Sequence, residues 1–330
     1  MARYLPSRSD PIGAAPLSAT SKYMDNSLEF LALPIGTSVL RSTLHTSEGV
    51  GLQLLEIRKP EEECIVALLP PMFPLFGWFP VLGLLSDLMP VVAWTPRGSF
   101  RQLPAATVLD HTVECYARDA EEIIKQKNLG RIHLVTLCGG SDIAAELISR
   151  GRLNVASVAS VTPPMPVAEE SFSRALTPVA RDLLQVLRIL ANAEGSLART
   201  AYRKLQRLLD VVWGTHSENT IGERADRATY RTLERAQAYA RALFTFHHSA
   251  TLEHKQSRFK KQCHTVPTLL ILFEDDELVG CPKHFIESIG GKVTLNVYER
   301  GGHAGGTDFP DKIYTSLAQF YKGLRGQGDT

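Results

Sequence analysis

No CxxC pair occurs among the five cysteines (Cys64, Cys115, Cys138, Cys263, Cys281), and their number is odd. That excludes a disulfide framework and the usual zinc spacings, and a reducing, cytoplasmic compartment fits best. Charge of one sign is lacking too. With 36 Lys+Arg against 35 Asp+Glu the net charge is +1, so bulk charge gives nucleic-acid binding no support. Neither a GxxxxGK loop nor a GxGxxG turn after a strand is present, which removes the common anchors of nucleotide chemistry. The first residues hold Pro6, Pro11 and Pro16 but not the apolar core of a secretory signal, so 1–25 reads as a flexible arm. The most apolar stretch, Ile65 to Ala93, has the length of a membrane span, but five prolines and Asp87 break it, and no integral membrane segment is expected. Gly (24) and Pro (19) are near average, which excludes collagen-like and low-complexity classes.

What is present is a chain of 330 residues, 44% hydrophobic, enough for one large domain with an insertion. Short apolar runs at Leu52–Ile57, Cys64–Leu69, Pro90–Trp94, Ile132–Leu137, Val155–Val161, Pro267–Phe273 and Val293–Tyr298 suit strands buried on both faces. Helical segments lie between them at Asp110–Lys127, Ser141–Ser149, Lys283–Ile289 and Asp311–Leu324. The alternation predicts an α/β fold with a mostly parallel central sheet and helices on both faces. From 165 to 262 it stops. Stripes such as Val179, Leu183, Val186, Leu187, Leu190 and Leu233, Ala236, Ala240, Leu243 have helical spacing. The expected division is therefore a core of 26–164 and 263–330, interrupted by a helical insertion over 165–262. The insertion is either a subdomain packed on itself or a lid over a site.

The run Ile132-His133-Leu134-Val135-Thr136-Leu137-Cys138-Gly139-Gly140-Ser141 is an apolar strand ending in small-x-Cys-x-small, followed by a helix. A nucleophile on such a turn needs small neighbours two positions away, here Thr136 and Gly140, because the backbone is strained and crowded. After Pro267–Phe273 comes Glu274-Asp275-Asp276-Glu277, and after Val293–Tyr298 comes Gly301-Gly302-His303-Ala304-Gly305-Gly306. Nucleophile, acid, histidine, each on a loop after a strand, is the chain order of an α/β-hydrolase triad. Cys138, Asp276 and His303 are the candidate catalytic residues, with Asp275 the alternative acid. Ser141 is a rival nucleophile, but bulky Ile143 stands two positions after it. His111 reads as part of a helix cap. His247-His248 lacks a third ligand at suitable spacing, so no metal site and no cofactor is assigned.

An oxyanion hole needs two amides. Gly139 supplies one. In the loop Leu69-Pro70-Pro71-Met72 neither proline has an N–H, so Met72 is the first residue that can supply the second, with Phe73 next. Phe73, Phe76 and Trp78 could line an acyl pocket or simply fill the core.

The Pro70-Pro71-Met72 loop, the Val92-Ala93-Trp94-Thr95-Pro96 segment, the cysteine elbow, Asp276-Glu277-Leu278 and Gly302-His303-Ala304 resemble, in order, landmarks of polyhydroxyalkanoate synthases and the related intracellular depolymerases. The resemblance implies an α/β-hydrolase fold and a Cys-His-Asp triad over roughly Cys64 to Lys322. The synthase elbow usually reads GxCxGG; here Thr136 replaces the first glycine and Gly139-Gly140 follow the cysteine one residue early. The expected activity is processing of acyl thioesters, carried on coenzyme A or an acyl carrier protein, by transfer, cyclisation or hydrolysis. Polyhydroxyalkanoate synthesis or depolymerisation is the alternative, and an inert binding module with a buried Cys138 is the other. A homodimer is compatible with the sequence.

Overall fold

The computed structural model describes residues 33, 37–58, 62–99, 110–164, 178–214, 227–276, 289–303 and 305–326. The expected 1–25 arm, the acidic loop beyond Asp276 and all but Ile289 of the segment Lys283–Ile289 lie outside these residues.

Eight strands form one sheet: β1 (Val39–His45), β2 (Gly51–Ile57), β3 (Glu63–Leu68), β4 (Val91–Trp94), β5 (Arg131–Leu137), β6 (Val155–Val161), β7 (Thr268–Phe273) and β8 (Val293–Tyr298). Their spatial order is β1-β2-β4-β3-β5-β6-β7-β8. β1 and β2 are antiparallel to their neighbours, and the pairs from β4 to β8 are parallel. β3, β4 and β7 are almost wholly buried, as strands covered on both faces must be. β1 is the strand the apolar runs did not announce. None of its positions is fully buried, and Arg41, Ser42 and Thr43 break up its apolar residues.

One face of the sheet is covered by α1 (Phe79–Leu88) and the C-terminal α9 (Pro310–Gly326). Trp78, Phe79, Leu82, Leu85, Ile313 and Leu317 pack there on Val135, Leu137, Ile271 and Phe273. The other face is covered by α2 (Val113–Gln126) and α3 (Gly140–Arg150), whose Tyr116, Ala120, Ile123, Ile143 and Leu147 meet Val66, Leu134 and Val158. α2 starts where the Thr112 side chain accepts from the Cys115 amide, and α3 ends at Gly151, which takes the left-handed conformation (φ 65°).

The insertion supplies α4 (Pro178–Asn192), α5 (Gly195–Gly214), α6 (Leu233–His248) and α7 (Leu252–Thr265). α4, α5 and α6 enclose a cluster of their own around Val186, Leu190, Leu205, Leu209, Ala236 and Ala240. α7 packs on the sheet layer: Phe259 and Cys263 meet Leu270 and Leu272 of β7, and Arg258 pairs with Glu146 of α3 at 2.6 Å. α8 (Gly305–Asp308) is a single turn that follows the β8 loop. Among the described residues, no helix is long and apolar enough to cross a membrane.

Candidate active site

β5 leaves the sheet at Leu137 and α3 begins at Gly140, so Cys138 stands on a two-residue turn. Its φ is +46°, a conformation that costs an L-residue about 1–2 kcal/mol. The turn is held because the Cys138 amide donates to the Val161 carbonyl of β6 (2.9 Å) and the Ser141 amide to the Cys138 carbonyl (3.0 Å). A Cβ at Gly140 would lie 2.2 Å from the Leu68 carbonyl oxygen, so β3 leaves room only for glycine. Thr136 is accommodated because its hydroxyl turns sideways to donate to Ser160 of β6 (3.0 Å).

The β7 and β8 loops converge on this turn. His303 Nδ1 lies 3.1 Å from Asp276 Oδ2 and 3.3 Å from Oδ1, and Cys138 is near enough to act on the charge of the same imidazole. With Nδ1 committed to the carboxylate, Nε2 is the nitrogen left for the thiol. Asp276 is nearly enclosed (side chain 3% exposed) and His303 is partly open (27%). Burial pulls the His303 pKa down, but the neighbouring Asp276 and Cys138 outweigh it and raise it well above 6.5, so the imidazolium is the favoured form.

The two adjacent aspartates have different tasks. Asp276 faces the imidazole. Asp275 accepts from the amides of Gly302 (2.7 Å) and Gly301 (3.2 Å), and thereby ties the histidine loop to the β7 loop. A Cβ at Gly301 would sit 2.2 Å from Phe273, so this loop also requires glycine.

The loop that carries Met72 touches the loop that carries Gly139. A Cβ at Gly139 would be 3.6 Å from both Pro70 and Pro71. The Phe73 amide donates to the Pro70 carbonyl (3.2 Å), whereas neither the Met72 nor the Gly139 amide has a partner among the described residues. Met72 itself has φ +55°. Two amides without partners, one of them next to Cys138 in sequence, are the kind of donors an oxyanion requires.

Of the expected pocket residues, Phe73 is half-buried against the core. Phe76 is 8% exposed and Trp78 fully enclosed. The Trp78 indole donates to the Gly306 carbonyl (2.7 Å), so it supports the histidine loop from the core and does not line an open pocket. Ser141 is buried on the first turn of α3. His111 Nδ1 lies 2.8 Å from the Tyr116 hydroxyl, and burial first, then Arg97, brings its pKa to about 4. His247 and His248 face different rings, Phe246 and Phe244.

Two participants had no sequence signal. Phe246 of α6 is fully buried, stands edge-on to Tyr116 (5.6 Å), and reaches within 3.2 Å of a Gly139 Cβ position, so the insertion touches the elbow. Thr162, one residue beyond Val161, has φ +45° and a buried hydroxyl with no partner among the described residues. A β-branched residue at positive φ was a contact the chain order alone could not announce.

No family model and no curated protein sequence matches the chain. Solved structures do. A haloalkane dehalogenase from Agrobacterium tumefaciens C58 superposes with a TM-score of 0.67 at 13% identity, covering 87% of this chain and 97% of its own. Naproxen esterase from Bacillus subtilis superposes with a TM-score of 0.59 at 16% identity, covering 91% and 96%. The chain has the α/β-hydrolase fold.

Proposed function

We propose that the chain is an enzyme of hydrolase type that processes acyl thioesters through a covalent Cys138 acyl-enzyme. The observation that carries this reading is the junction of a strained Cys138, a His303 imidazole and a buried Asp276 at the carboxyl ends of three strands. Hydrolysis is the general expectation; transfer or cyclisation is the finer one. The resemblance to polyhydroxyalkanoate synthases and depolymerases bears on the same nucleophile and is the polymer-directed variant of this reading.

In this scheme Cys138 Sγ attacks the thioester carbonyl, and the carbonyl oxygen takes the negative charge between the Gly139 and Met72 amides. Collapse breaks the bond to the carrier sulfur, which leaves as a thiol with a proton from His303 Nε2. Neutral His303 then removes a proton from water, or from an acceptor hydroxyl, as it attacks the Cys138 thioester. Asp276 holds Nδ1 throughout and stabilises the imidazolium. A thiol nucleophile suits thioesters because attacking and leaving groups are alike, so acylation is nearly balanced. Release of the acyl group therefore falls to the second step, where an insertion acting as a lid would decide between water and another acceptor.

Intact-protein mass spectrometry after incubation with a panel of acyl-coenzyme A and acyl-carrier-protein thioesters tests the reading. A mass increase of one acyl group, absent in Cys138→Ala, is the expected result. Turnover that survives in folded Cys138→Ala removes the covalent mechanism.

A further inference from the structure

Charge is divided unevenly between the two parts of the chain. Residues 165–262 hold 16 Lys+Arg against 10 Asp+Glu, a net of +6, while the remainder holds 20 against 25, a net of −5. The near-neutral total therefore conceals a cationic insertion on an anionic body, and such asymmetry steers charged partners.

The positive charge has a specific seat on α5. One face of this helix buries Ala198, Ala201, Leu205 and Leu209 in the insertion's own cluster. The opposite face carries Arg199, Arg203 and Arg207, all exposed, at successive four-residue steps. None of the three has a carboxylate partner among the described residues; Arg203 reaches only the Thr200 hydroxyl, at 3.5 Å. Lys204, one position away, is by contrast paired with Asp182 at 3.4 Å. Like charges at i and i+4 oppose helix formation by a few tenths of a kcal/mol per pair. An arrangement that weakens its own helix calls for a compensating use.

From Arg199 to Arg207 is eight residues, about 12 Å along the axis. That span is too long for one phosphate or carboxylate and matches the pitch of acidic side chains on an opposing helix. A membrane surface is a poorer match, since the apolar face of α5 is already used inside the insertion. The insertion also communicates with the reaction centre: α6 shares the cluster with α5, and its Phe246 rests on Gly139.

We infer that the outer face of α5 docks an acidic helix of the protein that delivers the acyl group, so that the thioester substrate arrives on an acidic carrier protein and not on coenzyme A alone. The identity of the partner rests on the thioester reading above; the docking surface does not. The test compares hexanoyl-acyl carrier protein with hexanoyl-coenzyme A for the intact enzyme, the triple variant Arg199→Glu/Arg203→Glu/Arg207→Glu, and the charge-keeping variant with lysine at all three positions. Binding of the non-acylated carrier protein is measured by calorimetry, and the thermal midpoint checks folding. The expected result is saturable carrier binding that weakens at least tenfold on charge reversal and with added salt, persists in the lysine variant, and leaves turnover of hexanoyl-coenzyme A unchanged. Carrier binding that is absent, or equal in the folded glutamate variant, overturns the inference, as does equal affinity for phosphatidylglycerol vesicles or duplex DNA. If charge reversal unfolds the protein, the triple glutamine variant replaces it with the same criteria. Carrier binding without any acyl-enzyme refutes the thioester reading and leaves the docking surface standing. An acyl-enzyme from coenzyme A thioesters without carrier binding does the reverse.

Discussion

His133 and His303 lie at opposite ends of the same sheet, each beside a carboxylate, and their basicities move in opposite directions. His133 Nε2 is 2.9 Å from Glu63 and Nδ1 2.7 Å from Ser157, yet its pKa is lowered, by burial first, with Arg131 and Arg325 adding to the effect against Glu63. His303 is raised, because Asp276 and Cys138 outweigh burial. Glu63 is 35% exposed, shared with Arg131 at 3.1 Å, and faces an open cleft of about 350 Å³, so water and arginine blunt its field. Asp276 is enclosed, with 3% of its side chain exposed. A carboxylate thus makes a histidine basic where water does not blunt its field, and that condition holds at the end of the strands where the backbone is also strained.

The largest expected effect separates the two histidines by activity. His303→Ala should lower turnover of an acyl thioester by about a thousandfold or more, the scale of losing one member of a triad. His133→Gln should leave turnover within a few-fold and cost about 1–3 kcal/mol of stability, because Glu63 and Ser157 lose a buried partner. Steady-state rates and urea midpoints for both variants check this. Comparable losses of turnover would break the comparison.

Next in size is the elbow itself. Gly140→Ala places a methyl 2.2 Å from the Leu68 carbonyl, a backbone atom that cannot turn aside, so a loss of at least about 3 kcal/mol is expected. Gly151→Ala, where a Cβ meets nothing within 4 Å, suffers only the strain of its left-handed φ, about 1 kcal/mol. Equal denaturation midpoints for the two variants would mean that β3 yields at Leu68.

These two glycines show what sequence conveys and what it does not. Seven of the strands were legible because each is a short apolar run bounded by turn residues, and Cys138, Asp276 and His303 because each follows such a run in a fixed order. β1 was not legible: as an edge strand it is only partly shielded, and Arg41-Ser42-Thr43 hides it. The division of labour between Asp275 and Asp276 depends on which carboxylate faces the imidazole, a matter of loop conformation that spacing only suggested. Phe246 on Gly139 and the register of Thr162 beside Cys138 are tertiary contacts across about a hundred residues and across two strands, with no local pattern to betray them.

The pH dependence of stability should divide along the same line. His133 is lowered, and His111 and His247 are held near 4 mainly by burial, so each binds a proton more weakly folded than unfolded. Their contribution is complete above about 6.5 and is lost as the pH falls from there toward 4. His303 works with the opposite sign: its contribution is present below about 6.5 and is lost as the pH rises through its raised folded value. Thermal midpoints between pH 4 and 9 should therefore fall at both ends. His303→Ala should flatten the alkaline limb alone, and His133→Gln should soften only the acid one. If His303→Ala altered the acid limb instead, the imidazole would be neutral in the folded protein.

The smallest effect expected is a gain. Cys138 at φ +46° and Asn128 at φ +51° share a left-handed backbone, but only one stands at the candidate site. Asn128 follows α2, and asparagine tolerates this conformation by local hydrogen bonding, so little strain is stored there. Cys138 has no such compensation and is held by its neighbours, through the Val161 and Ser141 bonds. Cys138→Gly should relieve about 1–3 kcal/mol of strain and give back about 0.5–1 kcal/mol through the freer unfolded chain, for a net stabilisation near 1 kcal/mol. Asn128→Gly should change stability by no more than a few tenths of a kcal/mol, the relief and the entropy nearly cancelling. Urea denaturation of both variants reads the difference directly. A Cys138→Gly protein no more stable than the parent would show that the elbow is relaxed as it stands, and that the conformation at the nucleophile is the chain's own preference and not a strain imposed by the sheet.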